Sequence, residues 1–401
     1  MNRRRFLRTV GATGIVGATV GIAGCGQFTD ESNAGQTEAC GPYEPTVSGS
    51  TGWQTVGGDP AGTGVVPASE TPEPPLSLDW TYILGGMAGA VQPVATAGRV
   101  YAHEYDSLLC AVDATSGEKV WEKRVESPHG PLAIGDDVVV ALAESTVLGL
   151  NPETGETRWT VSENYTGLFR GGPVVVDETV YVSTELSLLA LDLADGTVRW
   201  KHTTGEETVA TPAIVGETVY YGDYDTYVYA LDAATGEEKW RVKTNAHIDC
   251  NVTVADGTVF AGNPDGIVHA IDAASGEHTW TYDVRSDPNV LATDGSHVYV
   301  QTDDQLYAVE ATTGVSCWST ESTGAGVAVG DGCVYTPLPV EEPESRSLPG
   351  VLNAATGEKL AKTQGEFESR YARYYKGSAV VDGAVYASGV DEDGISLARF
   401  S

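Results

Sequence analysis

An eleven-residue phrase recurs along this chain at intervals near 40 residues, and a period of that length with strand-like patterning restricts the fold to propellers and solenoids. It reads Ala-Val-Asp-Ala-Thr-Ser-Gly-Glu-Lys-Val-Trp at 111–121 and Gly-Leu-Asn-Pro-Glu-Thr-Gly-Glu-Thr-Arg-Trp at 149–159. Further copies end at Trp200, Trp240, Trp280 and Trp318. A seventh, at 351–361, keeps Asn353, Thr356, Gly357 and Glu358 but has Ala361 in the Trp position. Successive end points are 38, 41, 40, 40, 38 and 43 residues apart.

Each part of the phrase has a mechanical reason. The Asp or Asn accepts bonds from backbone amides two residues on, an Asx turn. The Gly supplies the positive φ that closes a tight hairpin. The Trp four residues later lies on the next strand and wedges between neighbouring sheets. Glu310 in the sixth copy is a poorer turn former and predicts local loosening. Ahead of each phrase runs an alternating strand such as Thr218-Val219-Tyr220-Tyr221, and ahead of that a short apolar one such as Pro212-Ala213-Ile214-Val215.

Each unit therefore holds four strands, A to D, with the phrase spanning the C–D hairpin. Radially repeated four-stranded units are propeller blades. Trp80, in 76–84, is an orphan strand D, 41 residues before Trp121. At the other end 378–381, 384–388 and 395–400 supply strands A, B and C with no D after them. Joining the ends completes a shared blade and hides sheet edges. The expected fold is all-β, an eight-bladed propeller whose N-terminal strand completes the C-terminal blade.

The chain carries 56 Asp+Glu against 23 Lys+Arg, a formal net charge of −33. That balance excludes nucleic acid as a direct partner and argues against polybasic docking on an anionic membrane. The acidic residues are spread along the whole chain, a texture that resembles proteins of extreme halophiles. The basic residues concentrate at the start, in Arg3, Arg4, Arg5 and Arg8. The uncharged stretch 10–23 is too short to span a membrane and reads as a signal segment. The paired Arg followed by Phe-Leu resembles a twin-arginine export signal. Ile22-Ala23-Gly24-Cys25 resembles a lipobox, with Cys25 as the lipidated first residue of the mature chain. The expected organisation is a signal peptide at 1–24, a disordered tether at 25–52 and the propeller at 53–401. Localisation follows: exported, and anchored to the outer face of the cytoplasmic membrane. After Cys25 five thiols remain, Cys40, Cys110, Cys250, Cys317 and Cys333, whose pairing the spacing leaves open.

The phrase Ala-Leu-Asp-Ala-Ala-Thr-Gly-Glu-Glu-Lys-Trp at 230–240 resembles the quinoprotein (PQQ-like) propeller repeat, a match covering about 77–400. Trp53 with Gly57-Gly58-Asp59-Pro60 and Gly62-Thr63-Gly64 resembles that family's lead-in segment. WD-type propellers share the period but carry Gly-His and Trp-Asp, which are missing here. In architecture the chain is similar to BamB-type assembly lipoproteins, which implies a scaffold that binds another, unidentified extracytoplasmic protein. Quinoprotein dehydrogenases of the superfamily hold PQQ with calcium, and many have an adjacent Cys pair. This chain has neither such a pair nor a match to their calcium-ligand segments, so no cofactor is expected. A quinone dehydrogenase and a small-ligand or sugar-binding propeller are the alternatives.

No catalytic set, C-x-x-C motif or His pair at metal spacing stands out, and His269 reads as structural. In propellers the D–A and B–C loops gather on one face around the channel mouth, where partner contacts belong. Candidate residues there are Tyr165 and Arg170, His247 and Asp249, Arg285 and Asp287, and Arg370, Arg373 and Tyr374. Arg and Tyr are the anchors interfaces favour. The last three lie in the densest basic–aromatic cluster, close to an inserted B–C loop at about 337–350 and to Ala361. That sector reads as one that gives up packing regularity for exposed chemistry.

Overall fold

The computed structural model describes residues 44–47, 52–55, 57–85, 92–103, 107–128, 130–143, 146–162, 171–204, 210–324, 326–339, 347–361, 374–391 and 394–401. Eight four-stranded antiparallel sheets form eight blades. Their innermost strands A are Val94–Thr96, Ala133–Ile134, Val174–Val176, Ala213–Val215, Thr253–Ala255, Val290–Thr293, Ala328–Gly330 and Tyr374–Val381. Each touches the next in that order, and the last touches the first, which closes the ring. Blade 8 is the shared one: Leu78–Gly85 pairs with Gly394–Phe400, and Ser77 and Ser401 exchange backbone hydrogen bonds.

The phrase behaves as its residues predict. Asp113, Asn151, Asp192, Asp232, Asp272 and Asn353 each accept the amide two residues on. Glu310 does not loosen its turn. Its backbone keeps the two bonds of the other copies, Glu310 N to Val315 O and Gly314 N to Glu310 O. The side chain accepts from Thr313 Oγ1 instead of from amides, because the hairpin is held by its backbone.

The Gly has a second duty that packing alone discloses. A Cβ at Gly117, Gly155, Gly196, Gly236, Gly276, Gly314 or Gly357 would lie 2.6–2.9 Å from an indole of the preceding blade. Those indoles belong to Trp80, Trp121, Trp159, Trp200, Trp240, Trp280 and Trp318. Each donates Nε1–H across the boundary to a C–D turn carbonyl, from Ala114 O for Trp80 to Ala354 O for Trp318. Within its own sheet each phrase Trp pairs with Ala or Gly on strand C, as in Ala230↔Trp240 and Gly149↔Trp159. A larger residue there would enter the ring.

Residues 53–55 and 57–66 form a strap along the inner strand edges of the ring. Trp53 pairs with Ala95 of blade 1, and Gln54 O accepts Ile134 N of blade 2. Thr55 Oγ1 donates to Pro173 O, beside strand A of blade 3. Pro60, Ala61, Thr63 and Gly64 carbonyls then take amides of Ile214, Val254, Thr293 and Val329, in blades 4 to 7. Inner strand edges that would otherwise lack partners are thereby satisfied. Gly62 and Gly64, at φ +69° and +70°, are required because a Cβ would come within 2.9 Å of Val252 O or Ala292 Cβ.

The blade 7 to blade 8 boundary corrects one expectation. Blade 7 ends in the short strand Lys359–Ala361, and blade 8 has no C–D turn for a Trp to reach, since its strands C and D, Gly394–Phe400 and Leu78–Gly85, are not consecutive in the chain. The segment after the strap takes the turn's place. Pro72 O accepts Tyr335 Oη at 2.8 Å, as Ala273 O accepts Tyr220 Oη at 3.2 Å elsewhere. Glu70 O accepts Gly383 N. This sector therefore regains its packing through the lead-in. The described part of the inserted B–C loop is strand: Cys333–Pro339 pairs with Ser347–Asn353 through Pro339↔Ser347, and 340–346 lie outside the described residues.

Candidate functional site

Strand direction puts the A–B and C–D turns at one end of the ring and the D–A and B–C loops at the other. The candidates at the loop end fall into three groups. Tyr165, Arg170, Arg370 and Arg373 lie outside the described residues, as does Cys25. Tyr374 is not in a loop: it opens strand A of blade 8 and pairs with Val390, because that hairpin is extended to eight residues on each strand. His247, Asp249, Arg285 and Asp287 are described, on the loops flanking blade 5.

Three of those four converge. His247 Nε2 lies 3.6 Å from Asp249 Oδ2, and Tyr224 of the blade 4 B–C loop stands edge-on to the imidazole at 4.3 Å. The Asp287 carboxyl is held above its ordinary range, first by burial and then by the charges of Asp249 and Asp303, against the pull of His247. Asn289 Nδ2 donates to Asp303 at 2.8 Å. Arg285 stands apart from this group. Its backbone adopts φ +62°, its amide donates to Asp283 Oδ1, and its charge acts on Tyr307.

His269 is a buried tie between loops. Its Nε2 meets Asn245 Oδ1 at 2.9 Å and Asn263 Nδ2 at 3.0 Å, and burial lowers its pKa to about 4. It is neutral and structural, as read from its strand position.

A cluster that sequence reasoning missed lies between blades 3 and 4. Tyr221 and Tyr229 pair directly across strands B and C, with rings stacked at 5.0 Å and 8°. His202 of blade 3 reaches Tyr221 Oη through Nδ1 at 2.7 Å. Asp223, fully buried at the end of strand B, accepts Tyr227 N and is pushed up to about 6, chiefly by burial. Its carbonyl takes Ile248 N, beside His247. The available signal was Tyr at alternate positions 221, 227 and 229 beside an Asp, which reads equally as ordinary strand packing.

Among the described residues no three His, Cys, Asp or Glu side chains converge as a metal site. At the turn end a groove of about 620 Å³ runs between Pro45, Val47, Val65 and Val66 and the blade 7 turn at Asp331. What these arrangements provide is a rigid ring presenting acidic, aromatic and imidazole groups on loops.

The family model described as outer membrane protein assembly factor BamB matches residues 43–226 and 224–397. The BamB of Moranella endobia is 27% identical over 141 residues, 30% of this chain and 36% of that protein. The Salmonella typhimurium BamB is 34% identical over 71 residues, 18% of each chain. The matched stretches thus span about a third or less of these relatives. The crystal structure of BamB from Moraxella catarrhalis superposes with TM-score 0.64 at 19% identity, covering 81% of this chain and 99% of that one. Quinohemoprotein alcohol dehydrogenase from Comamonas testosteroni superposes with TM-score 0.69 at 15% identity, covering 87% and 80%. At such identities the two structures share the fold.

Proposed function

The chain belongs to the family of outer membrane protein assembly factor BamB, and from that premise we propose that it is an exported, non-catalytic scaffold that binds another extracytoplasmic protein. A lipid on Cys25 holds it at the outer face of the cytoplasmic membrane, and the tether runs from there to the segment 44–47, whose Thr46 and Val47 amides donate to Asp294 O of the propeller. The observation that carries this reading is the strap. It hydrogen-bonds to the inner strands of six blades and to Pro173 beside that of blade 3, which occupies those edges and leaves the loop end as the surface free to vary. His247, Asp249 and Asp287 supply a polar recognition patch there, and Tyr224 supplies an aromatic one. The matching relatives named as assembly factors fit a protein partner.

Two measurements test the reading. Cys25→Ala releases the protein to the medium or leaves an unprocessed precursor; a normally processed, membrane-bound variant defeats the anchor. A photo-crosslinker at position 247 captures a defined protein in intact cells, while one at Glu237 on the turn face does not. Purified protein that instead absorbs as a bound quinone and oxidises an alcohol with a dye acceptor would replace the scaffold with an enzyme.

A further inference from the structure

Blade 4 departs from the chain's own repeat at the loop-end rim of its two outer strands. Strand C, Tyr227–Asp232, pairs with strand D, Glu238–Lys243, so that Tyr227 faces Lys243 and Tyr229 faces Arg241. The same two positions hold Leu108↔Arg124 and Cys110↔Glu122 in blade 1, and Thr146↔Ser162 and Leu148↔Thr160 in blade 2. They hold Ile267↔Asp283 and His269↔Thr281 in blade 5, and Gln305↔Glu321 and Tyr307↔Ser319 in blade 6. Among these blades only the fourth sets two cations against two tyrosines.

The side chains use that placement. The Arg241 guanidinium lies 5.4 Å from the centre of the Tyr227 ring, and Lys243 Nζ lies 5.9 Å from it. Both cations lie against the same aromatic ring, whose π-electron cloud attracts them. Arg241 is 54% exposed and meets one carboxylate, Glu238, at 3.7 Å. The fixed Tyr227 ring holds the two cationic stems without ordering them afresh on binding, which lowers the cost of association. Tyr224 and His247 lie on the adjoining loops.

We propose that Tyr227, Arg241 and Lys243 form a docking surface for an acidic, extended segment of a partner protein. The assignment rests on the scaffold reading above and adds the chemistry of the partner. Two cations on one ring complement carboxylates spaced along an extended chain, and Arg with Tyr is the pairing that anchors interfaces. The chain's net charge of −33 repels such a segment at long range, but at molar salt repulsion acts only over ~3 Å. Contact at the patch then decides the outcome.

The test uses the full chain and a fluorescein-labelled Glu/Asp-rich decapeptide, with anisotropy read in about 1 M KCl. The decapeptide binds the wild type, and Arg241→Gln with Lys243→Gln weakens it at least tenfold. Tyr227→Leu weakens it severalfold, and Arg158→Gln, a strand D cation of blade 2, leaves it unchanged. Should the double variant lose its circular dichroism, each single substitution is read instead and lowers affinity at least threefold. Unchanged affinity in the folded variants, absence of binding, or equal binding of a Lys-rich peptide overturns the proposal. If position 247 still captures its protein in the double variant, the scaffold reading survives that loss.

Discussion

The Trp200 indole in blade 3 donates its Nε1–H to the carbonyl of Ala233 in blade 4 at 2.9 Å. The same ring covers Gly236, where a Cβ would sit 2.7 Å from it. Repeated around the described ring, this contact makes each turn the socket for the previous blade's outer strand.

Gly236→Ala must therefore do more than strain a backbone at φ +72°. It also drives a methyl into the Trp200 ring, a combined cost of about 2–5 kcal/mol. Gly216, at φ +56°, has open space where its Cβ would go. Gly216→Ala should cost only about 1–2 kcal/mol. Denaturant midpoints of the two variants check this, and equal losses would remove the packing role.

Ring closure gives a second expectation. Deleting 395–401 removes strand C of blade 8, with Ile395, Leu397, Ala398 and Phe400 all fully buried, and the Ser77–Ser401 bonds. Leu78–Gly85 then loses the strand it pairs with, and Trp80 loses its supporting sheet. The truncated protein should melt with low cooperativity and show a larger hydrodynamic radius. An unchanged melting curve refutes closure through the termini.

Asp223 predicts a pH dependence with a definite sign. Its folded pKa of about 6 exceeds the ordinary 3.8, so folding favours the protonated carboxyl. Stability from this group is complete below about pH 3.8 and is lost as pH rises through 6. Asp223→Asn keeps an acceptor for Tyr227 N and removes the buried charge. It should raise stability at pH 7.5 by up to about 3 kcal/mol and leave it nearly unchanged at pH 4. Thermal melts at the two pH values decide it, and a loss at pH 7.5 would show that the carboxylate is needed.

Thiol chemistry supplies the last. Cys317 is disulfide-bonded, whereas Cys110, Cys250 and Cys333 take part in no disulfide. If Cys25 carries the proposed lipid, Cys40 is the thiol expected to pair with Cys317. Non-reducing peptide mapping of the processed protein should recover the Cys317 peptide joined to that of Cys40. Alkylation of Cys317 without reductant would contradict it. Cys250 should resist alkylation in the folded state, because full burial raises its thiol pKa well above the ordinary range.

Strand content, blade count and the meeting of the ends were legible in the sequence, because each depends on features local to one repeat. A Gly that must turn, an Asp that caps its own amides and alternating apolar residues write themselves at fixed spacing. Trp80 without a preceding unit, and 395–400 without a following one, carried the closure in the same way.

Position relative to other blades is what one-dimensional spacing leaves out. Residues 53–66 look like a Gly-rich lead-in, and only the ring gives them the inner edges of six strands to satisfy. Ala361 looks like decay, yet blade 8 has no C–D turn for a Trp to dock on, and Pro72 takes the turn's place. The tertiary structure also moved Tyr374 from loop to strand and gathered His247, Asp249 and Asp287 across two loops. Repeat identity is set by forces within a few residues, while socket, strap and loop face are set by which surfaces meet when the ring closes.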